Sequence, residues 1–441
     1  MEINIKKISS LIILLLIFMV YFIVASFSLV DCAFAKDKKI KEGFYKTGSM
    51  NVARDDFSAT LLNDGRVFVA GGKLDSSDKN GRAKNNGEYL KSTEIYDPKT
   101  GEFAMGPDMA QPRFGHQAYL LTDGKILLVG GYTKDLKWNL INPSIDTYTD
   151  NLTIEIYDPI DNKFKKSPDL FVEDKIDKTT FKPVIYSVQI KDGRILFIYC
   201  TKNKKRIKIY NPVTSKFDFD IISEWNKIPL FSTHSAIPLH NNQILYFNHM
   251  ENNTDEIYLY DIDKQETIKG PSRKFSTQNP WLINIGNDNI LILGGTNDSE
   301  YTSLLDAEIC NIKQNTCIPV KSKLKESNRL PLLIKMDSDN ILILKVGYYD
   351  KLNSLVEKYS VKENNFYNNN IRIPQHFSQA VKLKDGEILC LGGKGRVVAY
   401  ERLKSPLRVV GMTVTLSLLE KELINPLSKI KVVNDCYIYK Y

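Results

Sequence analysis

Seven stretches of the chain place a short polar turn between two apolar runs. The clearest are LLNDGRVFVAGG (61–72), LLTDGKILLVGG (120–131) and KLKDGEILCLGG (382–393). Four drifted copies align with them without gaps: QIKDGRILFIYC (189–200), PLHNNQILYFNH (238–249), NIGNDNILILGG (284–295) and KMDSDNILILKV (335–346). Asp-Gly pairs such as Asp64-Gly65, Asp123-Gly124, Asp192-Gly193 and Asp385-Gly386 supply the positive φ angles of a tight hairpin, so each block predicts strand, turn, strand. The run after the turn is apolar almost throughout, the pattern of a strand buried on both faces.

A second hairpin follows. EIYDPKTGEF (94–103), EIYDPIDNKF (155–164) and IKIYNPVTSKF (207–217) place a tyrosine seven residues before an aromatic, as do Tyr359 and Phe366. The Asp-Pro or Asn-Pro after the tyrosine starts a turn. Each unit therefore predicts four antiparallel strands. Seven such units predict an all-β fold, a closed seven-bladed β-propeller, because each blade needs a neighbour on both faces to bury its apolar surface.

An arginine, an apolar strand, Asp-Gly, four apolar residues, Gly-Gly, then Tyr-Asp-Pro and a spaced aromatic together resemble the kelch repeat, in particular that of exported bacterial members. Blades one and two match nearly in full, blade seven in its first half, and the others in strand pattern, over about residues 43–403. The resemblance implies a propeller like the central domain of galactose oxidase. Among kelch domains that bind acidic peptides it also implies a role for arginines placed like Arg54 and Arg113.

Blade seven predicts strands at 376–383, 386–393 and about 396–403, with no aromatic fourth strand. EGFYKTGSMNVAR (42–54) reads like GEFAMGPDMAQPR (102–113), so a strand at about 43–50 is expected to complete the blade. The alternative is LRVVGM (407–412). On this reading the propeller spans 36–406, and 407–441 is a tail.

The segment 1–35 stands outside the fold. Lys6 and Lys7 precede twenty uncharged residues, Leu11 to Val30, and Ala33-Phe34-Ala35 has the small-x-small pattern of signal-peptidase cleavage. The apolar run is also long enough to span a bilayer, so a cleaved signal and a retained anchor through residues 11–30 both stand. Either implies export and an extracytoplasmic location. The formal net charge of +8 is unchanged without residues 1–35 and forms no tract, which predicts a solvated basic surface, with loose attraction to anionic polymers or lipid headgroups as the alternative. A monomer with no nucleic-acid partner is expected.

Cys310 and Cys317 are seven apart, where other blades carry the tyrosine and the aromatic. In an exported protein this predicts a disulfide, while two cysteines with no nearby histidine make only half a zinc site. Cys200 and Cys390 fall in second strands, and Cys436 has no evident partner. His116 and His234 share one repeat position, which points to packing. The two tyrosines, two histidines and thioether cysteine of a copper radical site do not assemble, and no other catalytic constellation, metal site or cofactor motif is found. Strand parity gathers the long loops on one face, and binding residues favour long loops on a rigid scaffold. Arg54, Arg113, Trp138, Tyr148, Trp225 and Tyr301 are the candidate ligand contacts there. The expected function is a non-enzymatic scaffold binding a protein or glycan. The alternative is a carbohydrate-acting enzyme on a kelch propeller, similar to neuraminate epimerase, which is six-bladed, or to galactose oxidase.

Overall fold

Each of the seven apolar runs is the second strand of a four-stranded antiparallel sheet, and together they form a seven-bladed propeller. The computed structural model describes residues 41–74, 88–134, 148–150, 153–166, 184–200, 204–224, 236–249, 255–275, 277, 280–297, 302–326, 330–346, 354–397 and 429–441. Among them there is no helix, hence none long and apolar enough to cross a membrane. Residues 1–40, with the 11–30 segment, lie outside the described residues.

From inner to outer strand, blade one is Ser58–Leu61, Val67–Ala70, Thr93–Asp97 and Glu102–Met105. Blade two is Gln117–Leu120, Ile126–Val129, Ile154–Asp158 and Lys163–Lys166. Blades three to six repeat the order, beginning at Val184, Ala236, Trp281 and Leu330.

The second strands feed two cores each. In blade one, Phe68 and Ala70 pack towards blade two with Ile126, Leu128 and Tyr157, whereas Val67 and Val69 pack towards blade seven with Leu389, Leu391 and Ile438. Seven such clusters occur, one between every pair of neighbours around the ring. Burying one large aliphatic side chain is worth about 1.5–3 kcal/mol. An open ring would leave a face of four or so in water, a loss on the order of 6–12 kcal/mol by the same scale. That rivals the net stability of a typical domain, so closure is required.

The seven-residue spacing is a cross-strand pair. Tyr96 faces Phe103, Tyr157 faces Phe164, Tyr210 faces Phe217 and Tyr359 faces Phe366 across the outer hairpin, with ring centroids 4.8–5.5 Å apart. Cys310 faces Cys317 in the same rung and the two are disulfide-bonded.

Blade seven departs from expectation in one strand. The N-terminal Gly43–Lys46 is its outer strand, as the repeat predicted, but the third strand is Cys436–Lys440 rather than 396–403. Lys394–Val397 instead pairs with Lys429–Val432 in a separate two-stranded ribbon. The end of the predicted tail thus belongs to the ring, and the tyrosine–aromatic pair of blade seven is Tyr439 with Phe44, centroids 4.9 Å apart. The alternative strand 407–412 lies outside the described residues. The compact unit runs from Phe44 to Tyr439.

Candidate functional site

Strand order fixes which connections share an end of the ring. Turns between first and second and between third and fourth strands span two to five residues and lie at one end. Connections between second and third strands, and between blades, lie at the other. They include 71–92, 130–153, 294–306 and 392–435. This long-loop end is the candidate binding face.

The Gly-Gly pairs build its rim. Gly71, Gly72, Gly130 and Gly131 all have positive φ, and a Cβ on Gly72 would lie 2.7 Å from the Asp55 carbonyl oxygen. Glycine is needed because the segments leading into blades one and two cross directly over the ends of their second strands. Gly72 N also donates to Arg113 O of blade two at 2.8 Å.

Arg54 and Arg113 do not reach the face. Both are fully buried, and their guanidinium groups are engaged by the blade they lead into. Arg54 Nη1 donates to Gly71 O and Ser92 O, and Nη2 pairs with Glu94 Oε1 at 2.8 Å. Arg113 donates to Gly130 O and Thr153 O and pairs with Glu155 Oε1 at 2.6 Å. In blade seven Gln375 takes the same place, its amide nitrogen donating to Gly392 O at 2.8 Å and Asp435 O at 3.0 Å. One side chain therefore ties the lead-in segment, the end of the second strand and the start of the third. Burial pulls both arginine pKa values down, against the glutamate partners that hold them up.

The glutamates were visible in the sequence as EIY, EIY, EIC and EKY, and were missed. Besides its arginine, Glu94 accepts from the backbone N–H groups of Asn51 and Val52, and Glu155 from that of Ala110. Glu308 pairs with Arg273 Nε at 2.9 Å and accepts from Lys274 N. Glu357 accepts from Lys325 N. In four blades this carboxylate anchors the lead-in backbone.

Trp138, Trp225, Tyr301 and His234 lie outside the described residues. Tyr148 begins a short strand, Tyr148–Asp150, paired with Tyr132–Lys134 above blade two. His116 is buried, with Nε2 2.8 Å from Ser58 Oγ, and burial, aided by the Arg113 charge, pushes its pKa down to about 3. It belongs to the packing between blades one and two.

The long-loop end of these two blades also carries side chains that sequence reasoning passed over. Lys73 Nζ lies 2.6 Å from Asp56 Oδ2 and 4.7 Å above the Phe114 ring. Phe114 contacts Tyr89 and Tyr132, with centroids 4.8 and 5.4 Å apart. Ser378 of blade seven donates to Asp55 Oδ1. Tyr89, Tyr132 and Lys73 are half-buried and Asp56 is exposed.

Among the described residues, one group of three potential metal ligands converges, Glu308 with Cys310 and Cys317. Its sulfurs are joined to each other and its carboxylate is held by Arg273 and Lys274, so it does not fit copper or zinc. No family model matches the chain and no curated protein matches it. Among solved structures, the chain is similar to a fungal alcohol oxidase of the AA5 family in complex with copper. The identity is 12% and the TM-score 0.58, over 90% of this chain and 76% of that one. The likeness is one of fold.

Proposed function

We propose that the chain is a non-enzymatic kelch-type propeller that binds a protein or a glycan outside the cytoplasm through its long-loop face. The observation that carries this reading is the asymmetry of the two ends. Among the described residues, the turns that join strands at one end span two to five residues, and the other end gathers the long connections on a rim braced by buried ion pairs. Length free to vary on a rigid frame is the arrangement that binding loops require. The kelch-like repeat supports the family reading. The Cys310–Cys317 disulfide is at home in an oxidising compartment, which supports export.

The test uses the full-length chain with single cysteines introduced at exposed Gln111, on the long-loop end, or at exposed Lys99, in a short turn, each carrying a bulky maleimide label. Binding is read on glycan and peptide arrays. The label at Gln111 is expected to abolish binding and the label at Lys99 to leave it intact. The reverse pattern would move the site to the short-turn face and overturn the reading.

A further inference from the structure

We propose that the short-turn end of the propeller rests on a lipid bilayer, held there by the apolar segment Leu11 to Val30 retained as an anchor and touching it through Ile160 and Val213. The inference goes beyond the binding-face reading. It sets the membrane at the end opposite the long loops, which are then presented away from it.

The first observation is a pair of apolar tips. Ile160 is 89% and Val213 81% exposed, the highest values of any large apolar side chain among the described residues. They hold one repeat position, three residues after Tyr157 and Tyr210, in the outer turns of neighbouring blades two and three. Blades one, four, five and six carry Lys99, Asp263, Lys313 and Lys362 there, so the turn itself asks for no apolar residue. Both turns are fixed: Asp158 Oδ1 accepts from Ile160 N at 3.1 Å, and Asn211 Oδ1 from Val213 N at 3.0 Å. Single exposed apolar residues are ordinary. What gives these two a direction is the path of the chain.

The second observation is where the chain enters the ring. Phe44 meets Tyr439 in blade seven as Phe164 meets Tyr157 and Phe217 meets Tyr210. Gly43 therefore stands at the rim position of Lys163 and Lys216, which follow directly on the turns of Ile160 and Val213. The ring is entered at its short-turn end. Val30 lies thirteen residues before Gly43, a reach of about 45 Å at most. With the long loops on the membrane, much of that length would have to run back along the outside of the blade. A short tether keeps lipid at high local concentration, so two apolar tips suffice where a free protein would need a larger patch. Charges in the inner turns at this end pair within their own turns, Asp64 with Arg66, Asp123 with Lys125 and Asp192 with Arg194, so the contact does not select anionic lipid.

The test reconstitutes the full-length chain in phosphatidylcholine vesicles that contain a nitroxide-bearing lipid. Ile160→Cys, Val213→Cys and, on the long-loop end, Gln111→Cys each carry an environment-sensitive fluorophore. The labels at 160 and 213 are expected to lose fluorescence to the nitroxide and the label at 111 to keep it. Quenching at 111 instead, at all three positions alike, at none, or only after anionic lipid is added overturns the contact. A label at Lys99→Cys reads the same rim in a background of Ile160→Asp with Val213→Asp. Blade four already carries Asp263 at this position, so the double variant keeps the fold. Weaker quenching at 99 is expected in it, and unchanged quenching overturns the role of the two apolar tips. A mature chain that begins at Lys36 in an exporting host overturns the anchor. Ligand binding on the arrays, blocked or not by the label at Gln111, is a separate reading, so the binding face and the membrane contact can fail independently.

Discussion

Removing the Arg54 side chain tests whether the buried arginines are structural clamps. In Arg54→Ala, Glu94 keeps its backbone donors from Asn51 and Val52 but loses its counter-ion, with both partners fully buried. Gly71 O and Ser92 O lose a shared donor as well. Breaking a buried pair from one side costs about 3–5 kcal/mol. With an unfolding entropy of about 2.1 cal/mol/K per residue, a ring of roughly 400 residues loses about 4–6 °C in melting temperature. Gln375→Ala is the internal comparison, since it removes two neutral hydrogen bonds from the same repeat position and leaves no orphaned charge. At about 0.5–1.5 kcal/mol each, it costs about 1–3 kcal/mol. Chemical denaturation followed by intrinsic fluorescence, with differential scanning calorimetry alongside, reads both. Arg54→Ala and Arg113→Ala should be hit harder than Gln375→Ala. If Arg54→Ala loses less than Gln375→Ala, the guanidinium is not a clamp and the repeat position has another purpose.

The remaining predictions concern the other buried groups. His116, whose folded pKa of about 3 lies below its unfolded value of 6.5, is neutral in the fold, so its contribution is intact above pH 6.5 and is lost as pH falls towards 3. Between pH 7 and pH 5 that is about 2 kcal/mol, and His116→Phe, the residue blade one carries at this position, should flatten the stability–pH curve by that amount; an unchanged slope would refute it. Reducing the Cys310–Cys317 bond, or replacing both cysteines by serine, should lower stability by about 2–3 kcal/mol for so short a loop, and non-reducing mass spectrometry should find these two residues in one cross-linked peptide. Tyr439→Ala, which removes a fully buried ring between blades six and seven, should cost about 3–5 kcal/mol; a loss under 1 kcal/mol would mean that the third strand of blade seven does not close the ring.

What the sequence disclosed was local and repeated. Asp-Gly and the tyrosine–aromatic spacing each report a constraint met within one hairpin, and the polar turn between two apolar runs recurs seven times, which made the fold readable. The third strand of blade seven was hidden because its signals are split. Tyr439 carries the tyrosine of the motif, but its aromatic partner, Phe44, stands at the other end of the chain, so no spacing rule connects them. The arginines were misread for a different reason. A guanidinium facing a ligand and one facing a buried carboxylate look alike in a single repeat. Comparing blades gives half of the distinction: Arg54 and Arg113 come with Glu94 and Glu155, and neutral Gln375 comes with Tyr437. Glu308 and Glu357 hold the same third-strand position where the repeat has Thr277 and Asn328, so the pairing itself is visible only in the structure.

The same comparison identifies the weakest edge of the ring. Four outer hairpins and the outer strand pair of blade seven are locked by a ring pair, and one hairpin by a disulfide, whereas in blade four Tyr260 faces Thr267. An aromatic pair is worth about 0.5–1.5 kcal/mol beyond the area it buries. The outer strand of blade four, Glu266–Lys269, is exposed at every position, and its ion pair between Lys269 and Glu256 is solvated and adds little. Local opening draws on regions with few buried contacts. Amide hydrogen exchange should therefore strip protection from Glu266–Lys269 before Thr316–Pro319, whose hairpin is held by the disulfide, and before Glu102–Met105, whose hairpin is held by Tyr96 and Phe103. Reduction should move Thr316–Pro319 towards the blade-four rate and leave Glu102–Met105 unchanged. Equal protection of the three strands in the oxidised protein would show that the cross-strand pair does not set edge stability.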